Sequence, residues 1–325
     1  MIGLLSKKRG NYKLQEKFSG KNNVEDQTSL EVSHHKDSLI KAGYDVLVID
    51  WGADFIDQVS SAQVDIIFNV SSLVEGAILE DLEIPFVGSD STGISFATDK
   101  SAAKRLWQQA GLPTSEFRVL RNISDCQEFI SNPPFPYPIF CKPVAGRGSS
   151  GITDDSIIEN DSQFKVIVEN LLKTIEQPVL VEKYLGGREI TVGIIGNDAH
   201  VRTLPLLEIQ IGKGIKALTF NKKENEDDKF ICPAKLTEKE DELIRNIAIQ
   251  AYQALGLRDY ARIDMKLTSD GPMLLEANSF AGLMCTPKEK PFSYIGFMAR
   301  SEGRGGKELL KEIVEAAMER INYKK

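Results

Sequence analysis

Apolar positions along this chain fall into short strand-like runs separated by stretches with helical spacing. Residues 2–6 form the first apolar run and predict a buried strand; the polar stretch that follows, through about Ser29, has no firm period. From residue 30 to 42 apolar positions recur at helical spacing, and Gly43 stands where a helix C-cap would. Runs 45–50 and 64–70 predict two strands, 74–82 a helix and 84–88 another strand. Strand, helix, strand, strand, helix, strand makes a small parallel α/β layer that ends near Ser89.

A second region opens at Thr98 or Asp99, either of which can cap a helix running to Ala110, with Gly111 closing it. Four prolines between 133 and 138 forbid regular structure and mark a loop. A strand at 139–143, a helix near 161–176 and a strand at 178–182 follow. From about Gly186 the chain is strand-rich (189–195, 201–211, 260–267, 273–276), with an amphipathic helix at 238–255 and a closing helix at 306–321. No internal repeat interrupts this order.

With 42% hydrophobic and 27% charged residues the composition is that of a soluble globular protein. A net charge of −7 argues against a nucleic-acid partner, because phosphate neutralisation needs a basic face. No apolar run reaches membrane-spanning length, and the first residues are too short a run for a signal peptide, so a cytoplasmic setting is expected. The four cysteines are widely spaced and read as reduced core thiols. His34 and His35 fall on a polar helix face and His200 near a turn; all three read as solvated, and neither a Ser-His-Asp nor a Cys-His mechanism has support.

The chemistry concentrates near the C-terminus. Arg262 and Asp264 sit on one predicted strand, Glu276 and Asn278 on the next, and 268–271, ending in Gly271, has the make-up of a hairpin turn. Residues two apart on a strand share a face, so two carboxylates and an amide oxygen gather in one place. That donor set suits Mg²⁺, with substrate phosphates as its other ligands, and Arg262 beside it points to a phosphorylated substrate. An ordinary hairpin with polar ends is the alternative for any one of these residues.

Gly146, Gly148 and Gly151 spell a dinucleotide-type glycine pattern, but no helical pattern follows it. The loop, with Ser149 and Ser150, reads instead as a strand–loop–strand flap whose backbone N–H groups can approach phosphates. Lys142 just upstream supplies a point charge for the same anion.

Further segments complete the series: Ile84-Pro85-Phe86-Val87-Gly88-Ser89, Asp99-Lys100 through Lys104, Cys141-Lys142-Pro143, Glu182-Lys183-Tyr184-Leu185-Gly186-Gly187-Arg188-Glu189, Cys232-Pro233, and Glu276-Ala277-Asn278 with Gly282. In this order they resemble the ATP-grasp superfamily and, within it, the D-alanine–D-alanine ligase-like branch, from about Val64 to the C-terminus. The resemblance implies an α/β (α+β) architecture of the ATP-grasp type. A Rossmann-like α/β domain at 1–89 would be followed by a central lobe at 90–185, carrying the flap, and a C-terminal lobe at 186–325, carrying the metal site. The two lobes would clasp ATP.

By position, the resemblance puts Lys100 and Lys142 at the ATP phosphates and adenine, with Gly148, Ser149 and Ser150 above them. Glu182, Lys183, Tyr184 and Leu185 would read the adenine edge, Glu182 mainly by its carboxylate, and Glu189 the ribose hydroxyls. Asp264, Glu276 and Asn278 would hold two Mg²⁺ ions, with Mn²⁺ as an alternative. Lys222 would close over the γ-phosphate, Arg262 would stabilise an oxyanion, and Gly282 and Lys223 would face the substrates. The implied reaction joins a small-molecule carboxylate to an amine through an acylphosphate, releasing ADP and phosphate, and a homodimer is the family habit.

The amino-acid half departs from the family pattern. Residues 1–35 lack the glycine-rich opening turn with its amine-binding glutamate, Lys223 replaces an aromatic or His, and Cys285-Thr286-Pro287-Lys288 replaces a Ser-Leu pair. The expected substrate is therefore an amino acid or small peptide-like acid. A true D-alanine–D-alanine ligase, a non-catalytic ATP-binding module and a kinase are the rival readings.

Overall fold

The computed structural model describes residues 1–6, 24–50, 54–70, 73–145, 152, 154–175, 177–210, 229–286 and 293–322. The N-terminal layer is a four-stranded parallel sheet, β1 (Ile2–Ser6), β2 (Val46–Asp50), β3 (Ile66–Phe68) and β4 (Phe86–Val87), ordered β2-β1-β3-β4. Helices α1 (Val24–Lys41), α2 (Phe55–Ser61) and α3 (Leu73–Asp81) connect it. Helix α2 is absent from the expected order, in which β2 ran directly to β3. Parallel strands on either side of β1 need a crossover. At seven residues, with Phe55 and Val59 buried one turn apart, α2 is too short for its period to stand out in the sequence.

Two short helices, α4 (Ser91–Thr98) and α5 (Lys100–Gln109), lead into the central lobe. Asp99 separates them and caps α5: its carboxylate accepts from Ser101 N and Ala102 N, both at 2.9 Å. An antiparallel sheet follows, ordered β5-β8-β6-β7, from β5 (Phe117–Leu120), β6 (Ile139–Pro143), β7 (Ile157–Ile158) and β8 (Val179–Lys183). Helices α6 (Ile123–Ser131) and α7 (Asp161–Ile175) cover one face of it, with Phe129 stacked on Phe164 at 4.7 Å. Strands β5 and β7 and helices α4 and α6 are additions to the expected order.

The C-terminal lobe is a sheet ordered β12-β11-β9-β13-β14. Its strands are β9 (Arg188–Ile195), β10 (Arg202–Thr203), β11 (Leu207–Gln210), β12 (Lys229–Ile231), β13 (Tyr260–Thr268) and β14 (Gly271–Asn278), with β10 paired to the end of β9. The single strand expected at 201–211 is thus two. Pro205 sits in the gap, and with no N–H it cannot serve a continuous ladder. Helices α8 (Glu238–Ala254), α9 (Tyr294–Ser301) and α10 (Gly306–Asn322) flank the sheet. No helix among the described residues is long and apolar enough to cross a membrane.

One apolar core runs from the N-terminal layer into the C-terminal lobe: Ile2, Leu4 and Phe68 pack in the same cluster as Leu207, Met298 and Leu310. The central sheet has a separate core. A buried Asp259, held at φ +65°, fastens the junction. Its two carboxylate oxygens accept from Arg320 at 2.9 and 2.8 Å, from Asn197 Nδ2 at 2.9 Å and from the backbone N–H of Gly88 at 2.7 Å.

The sequence reading of the histidines as solvated holds for exposed His200 and fails for the other two. Helix α1 is covered by the sheet on one side and by α10 on another, so the polar positions that face them are enclosed. His35 is fully buried beside Phe68, and His34 Nε2 accepts from Cys285 N at 3.2 Å. Burial, with the neighbouring His34 adding to it, holds His35 down at about 3.

A neutral buried His favours the fold only while the unfolded chain is also neutral, so this contribution is complete above the ordinary His value and is lost as pH falls towards 3. Below about pH 6.5 unfolding free energy should therefore decline by up to about 1.4 kcal/mol per pH unit from this group. Denaturant unfolding of the parent and of His35→Leu at about pH 7 and about pH 5 measures it; the parent should lose roughly 2 kcal/mol more than the variant. Equal losses would contradict the assignment.

Candidate active site

The hairpin β13–β14 builds one wall of a cleft. Its turn closes on Gly271 at φ +112°, where the Thr268 hydroxyl accepts from Asp270 N and donates to Gly271 O. In the resulting register Arg262 lies opposite Asn278 and Asp264 opposite Glu276. Strand alternation then sets Arg262, Asp264 and Lys266 on one face, and neighbouring β9 places Thr191 opposite Asp264 and Glu189 opposite Lys266.

Asp264 is the hub of this wall. Its oxygens accept from Arg262 Nε at 2.8 Å and Nη2 at 2.7 Å, from Asn278 Nδ2 at 3.0 Å, and from the Thr191 hydroxyl. Arg262 also lies over the Tyr294 ring, 5.0 Å from its centroid. Burial opposes the charge on Arg262, but Asp264 outweighs it and raises the guanidinium above its ordinary value. Lys266 Nζ meets Glu189 Oε2 at 3.0 Å; burial raises the Glu189 carboxyl, with Lys266 pulling the other way.

The facing wall comes from the central lobe. Glu182 on β8 is buried, with Oε1 2.7 Å from Lys142 Nζ and Oε2 2.8 Å from Lys104 Nζ. The Ser115 hydroxyl donates to the same Oε2 at 2.8 Å. Burial alone would raise this carboxyl, yet the two lysines hold it down at about 2. Burial likewise works against Lys142, and Glu182 overcomes it, so Lys142 is raised; Lys100 and Lys104 are lowered by burial. Lys100 Nζ approaches Glu276 Oε2 at 3.8 Å and so bridges the two walls. Four described acids of the cleft thus each have a cation: Asp264 with Arg262, Glu189 with Lys266, Glu276 with Lys100, and Glu182 with two lysines.

Asp264, Glu276 and Asn278 come together as the sequence implied. Two carboxylates and an amide, with no His or Cys among them, form a hard-oxygen donor set that fits Mg²⁺ or Mn²⁺. Among the described residues no cluster of three His, Cys, Asp or Glu side chains forms a cage of its own. A metal here must draw further ligands from what it binds, as Mg²⁺ does with phosphates.

Glu182 differs from the expectation that its carboxylate reads a base: both oxygens are committed to Lys104, Lys142 and Ser115. Lys183 and Tyr184 continue its strand, donating to Glu116 O at 3.0 Å and Pro138 O at 3.1 Å, and half-buried Leu185 follows. Gly148, Ser149, Ser150, Lys222 and Lys223 lie outside the described residues, although antiparallel β6 and β7 frame the glycine loop on both sides.

Gly282 lies where three elements converge. A Cβ there would stand 2.9 Å from Ser293 Cβ, at the N-cap of α9, and 3.8 Å from Glu31 Oε1, on α1. Beside Gly282 stands the Ser293 hydroxyl, beyond the stretch Cys285-Thr286-Pro287-Lys288, of which Pro287 and Lys288 lie outside the described residues. Sequence reasoning also gave no role to Lys104, Lys266, Glu31 or Tyr294. Lys104 could have been found, since it stands one helical turn after Lys100 among apolar neighbours. Glu31 could not, because only the fold brings it to Gly282.

Residues 106–315 match the family model described as D-ala D-ala ligase C-terminus. An uncharacterized protein y4sG of Sinorhizobium fredii is 31% identical over 229 residues, covering 67% of this chain and 66% of that protein. A D-alanine–D-alanine ligase of Bordetella petrii is 30% identical over 290 residues, 86% of this chain and 84% of the relative. Among solved structures, the ATP complex of D-alanine–D-alanine ligase from Bacillus anthracis superposes with a TM-score of 0.75 at 20% identity, covering 100% of this chain and 99% of that one. The VanG D-Ala:D-Ser ligase of Enterococcus faecalis gives 0.71 at 19%, covering 97% and 98%.

Proposed function

The chain belongs to the D-alanine–D-alanine ligase family, and from that premise we propose that it couples an amino acid or small peptide-like acid to an amine at the expense of ATP. As an ATP-grasp ligase it forms a C–N bond with ATP and Mg²⁺. The observation that carries the site assignment is the charge-paired cleft: Glu189, Asp264 and Glu276 of β9, β13 and β14 paired with Lys266, Arg262 and Lys100, and Glu182 of β8 paired with Lys142 of β6.

In this reading Lys100 and Lys142 orient the phosphates, Glu189 accepts from the ribose hydroxyls, and the backbone of 183–185 lies along the base. Asp264, Glu276 and Asn278 would hold the metal, which when bound neutralises charge on the transferring phosphoryl group. Arg262, steadied by Tyr294, presents its planar fork to the oxyanion formed when the amine attacks the activated acid. Lys222 and the loop at 148–150 shield that intermediate from water. Glu31, Gly282 and Ser293 bound the amino-acid side, and the resemblance assigns Lys223 to the substrate as well. The homodimer implied by the resemblance and the cytoplasmic setting expected from the sequence belong to the same proposal.

A second reading, D-alanine–D-alanine ligase proper, is supported by the Ser293 hydroxyl and the Glu31 carboxylate beside Gly282. ADP and phosphate release across a matrix of acids and amines, with products weighed by mass spectrometry, separates the two. The first reading expects one pair to exceed D-alanine alone by a wide margin. Turnover with D-alanine alone at about 1–10³ s⁻¹, the range of dedicated enzymes, would overturn it in favour of the second.

Arg262→Ala should lower kcat by about 10²–10³ with ATP affinity little changed; unaltered turnover would remove Arg262 from the chemistry. The same change frees Asp264 of its competing cation. It should strengthen binding of Mn²⁺ alone by about tenfold, read by electron paramagnetic resonance without nucleotide. Weaker or equal Mn²⁺ binding would argue that Asp264 is not a metal ligand.

A further inference from the structure

We propose that Lys104 is a positioning residue for the nucleotide: through Glu182 it sets Lys142 at the phosphates, and through Thr114 it ties that setting to the metal-bearing strand β14. The inference rests on the reading of this cleft as the ATP site.

Lys104 is fully buried. An ammonium has three N–H donors, and each has an acceptor here: Thr114 Oγ1 at 2.8 Å, Ser115 Oγ at 2.9 Å and Glu182 Oε2 at 2.8 Å. It has nothing left to offer a ligand, so any effect on the nucleotide passes through its partners. One partner is Glu182. With Oε2 taken by Lys104 and Ser115, only Oε1 is left for Lys142, at 2.7 Å. That single anchor fixes the lysine while leaving it donors to turn into the cleft. Two lysines and one carboxylate also leave the trio at net +1, a buried positive charge suited to a phosphate.

The other partner is Thr114. Its hydroxyl donates to Leu274 O at 2.9 Å, and Leu274 N donates to Pro113 O at 2.9 Å. Leu274 belongs to β14, two residues before Glu276. A single ammonium thus references both the lysine on one wall and the acid-bearing strand on the other. The Glu182 arm calls for a cation, and the Thr114 arm uses a further donor of the same ammonium. The pair explains why a lysine is enclosed where an apolar residue would otherwise fill the helix face.

The test is a double-mutant cycle on the full chain, read as ADP affinity by calorimetry with Mg²⁺ present and as kcat and KM for ATP. Lys104→Met should weaken ADP binding and raise KM for ATP by about tenfold, as expected for removing one member of a buried charge network. KM for the acid should stay unchanged, because a loosened core would disturb both sites. In the Glu182→Gln background Lys104→Met should add less than about twofold, since its route to Lys142 is already cut. Ser115→Ala keeps every charge and should move ADP affinity the same way by a smaller factor, which keeps the idea testable if Lys104→Met folds poorly.

Effects that multiply in the double variant, or a Lys104→Met chain that binds ADP as the parent does, would overturn the proposal. A Ser115→Ala chain with unchanged ADP affinity would also count against it. A parent chain that binds no ADP would overturn the nucleotide reading itself, and this inference with it.

Discussion

A carboxylate withdrawn from water must find a cation or lose its charge, and the cleft of this protein is organised by that rule. Glu182, Glu189, Asp264 and Glu276 are each held by a lysine or arginine of the same chain. Breaking such a pair by removing one partner typically costs about 3–5 kcal/mol, because the survivor is left buried and uncompensated. The pairs therefore fix the two walls while no ligand is bound. On the proposed reading, binding of metal and nucleotide would exchange internal partners for external ones, freeing Arg262 from Asp264 and turning Lys142 toward phosphate.

The rest of the fold supplies a fixed frame for that exchange. The N-terminal layer and the C-terminal lobe share one apolar core and are fastened at Asp259, so the wall carrying Asp264 stands on a large common body. The central sheet has its own core and meets that body through the helices around Asp99, the Thr114–Leu274 bridge and the Lys100–Glu276 approach. Because Glu31 on α1 reaches Gly282, the N-terminal layer also borders the proposed amino-acid side of the cleft.

Local signals carried much of this into the sequence. The hairpin at 268–271, the alternation that aligns Arg262 with Asp264 and Glu276 with Asn278, and the Asp99 cap all depend on residues within a few positions of one another. What escaped depends on distance or enclosure. Helix α2 and strands β5 and β7 are too short to show a period. The enclosure of His34 follows from the start of α10 at Gly306, more than two hundred and fifty residues away, that of His35 from Phe68 of the sheet, and the Glu31–Gly282 approach from the packing of α1 on the C-terminal lobe. The commitment of Glu182 to two lysines is invisible to a motif, which names the residue but not its partners.

The central claim is that this cleft activates an acid at the γ-phosphate of ATP. Its most direct test follows the oxygen. With the preferred acid labelled with ¹⁸O in its carboxyl group, ³¹P NMR of the spent mixture should show ADP and inorganic phosphate carrying one ¹⁸O for each bond formed. Product formed with unlabelled phosphate, or with AMP and pyrophosphate in place of ADP, would contradict it.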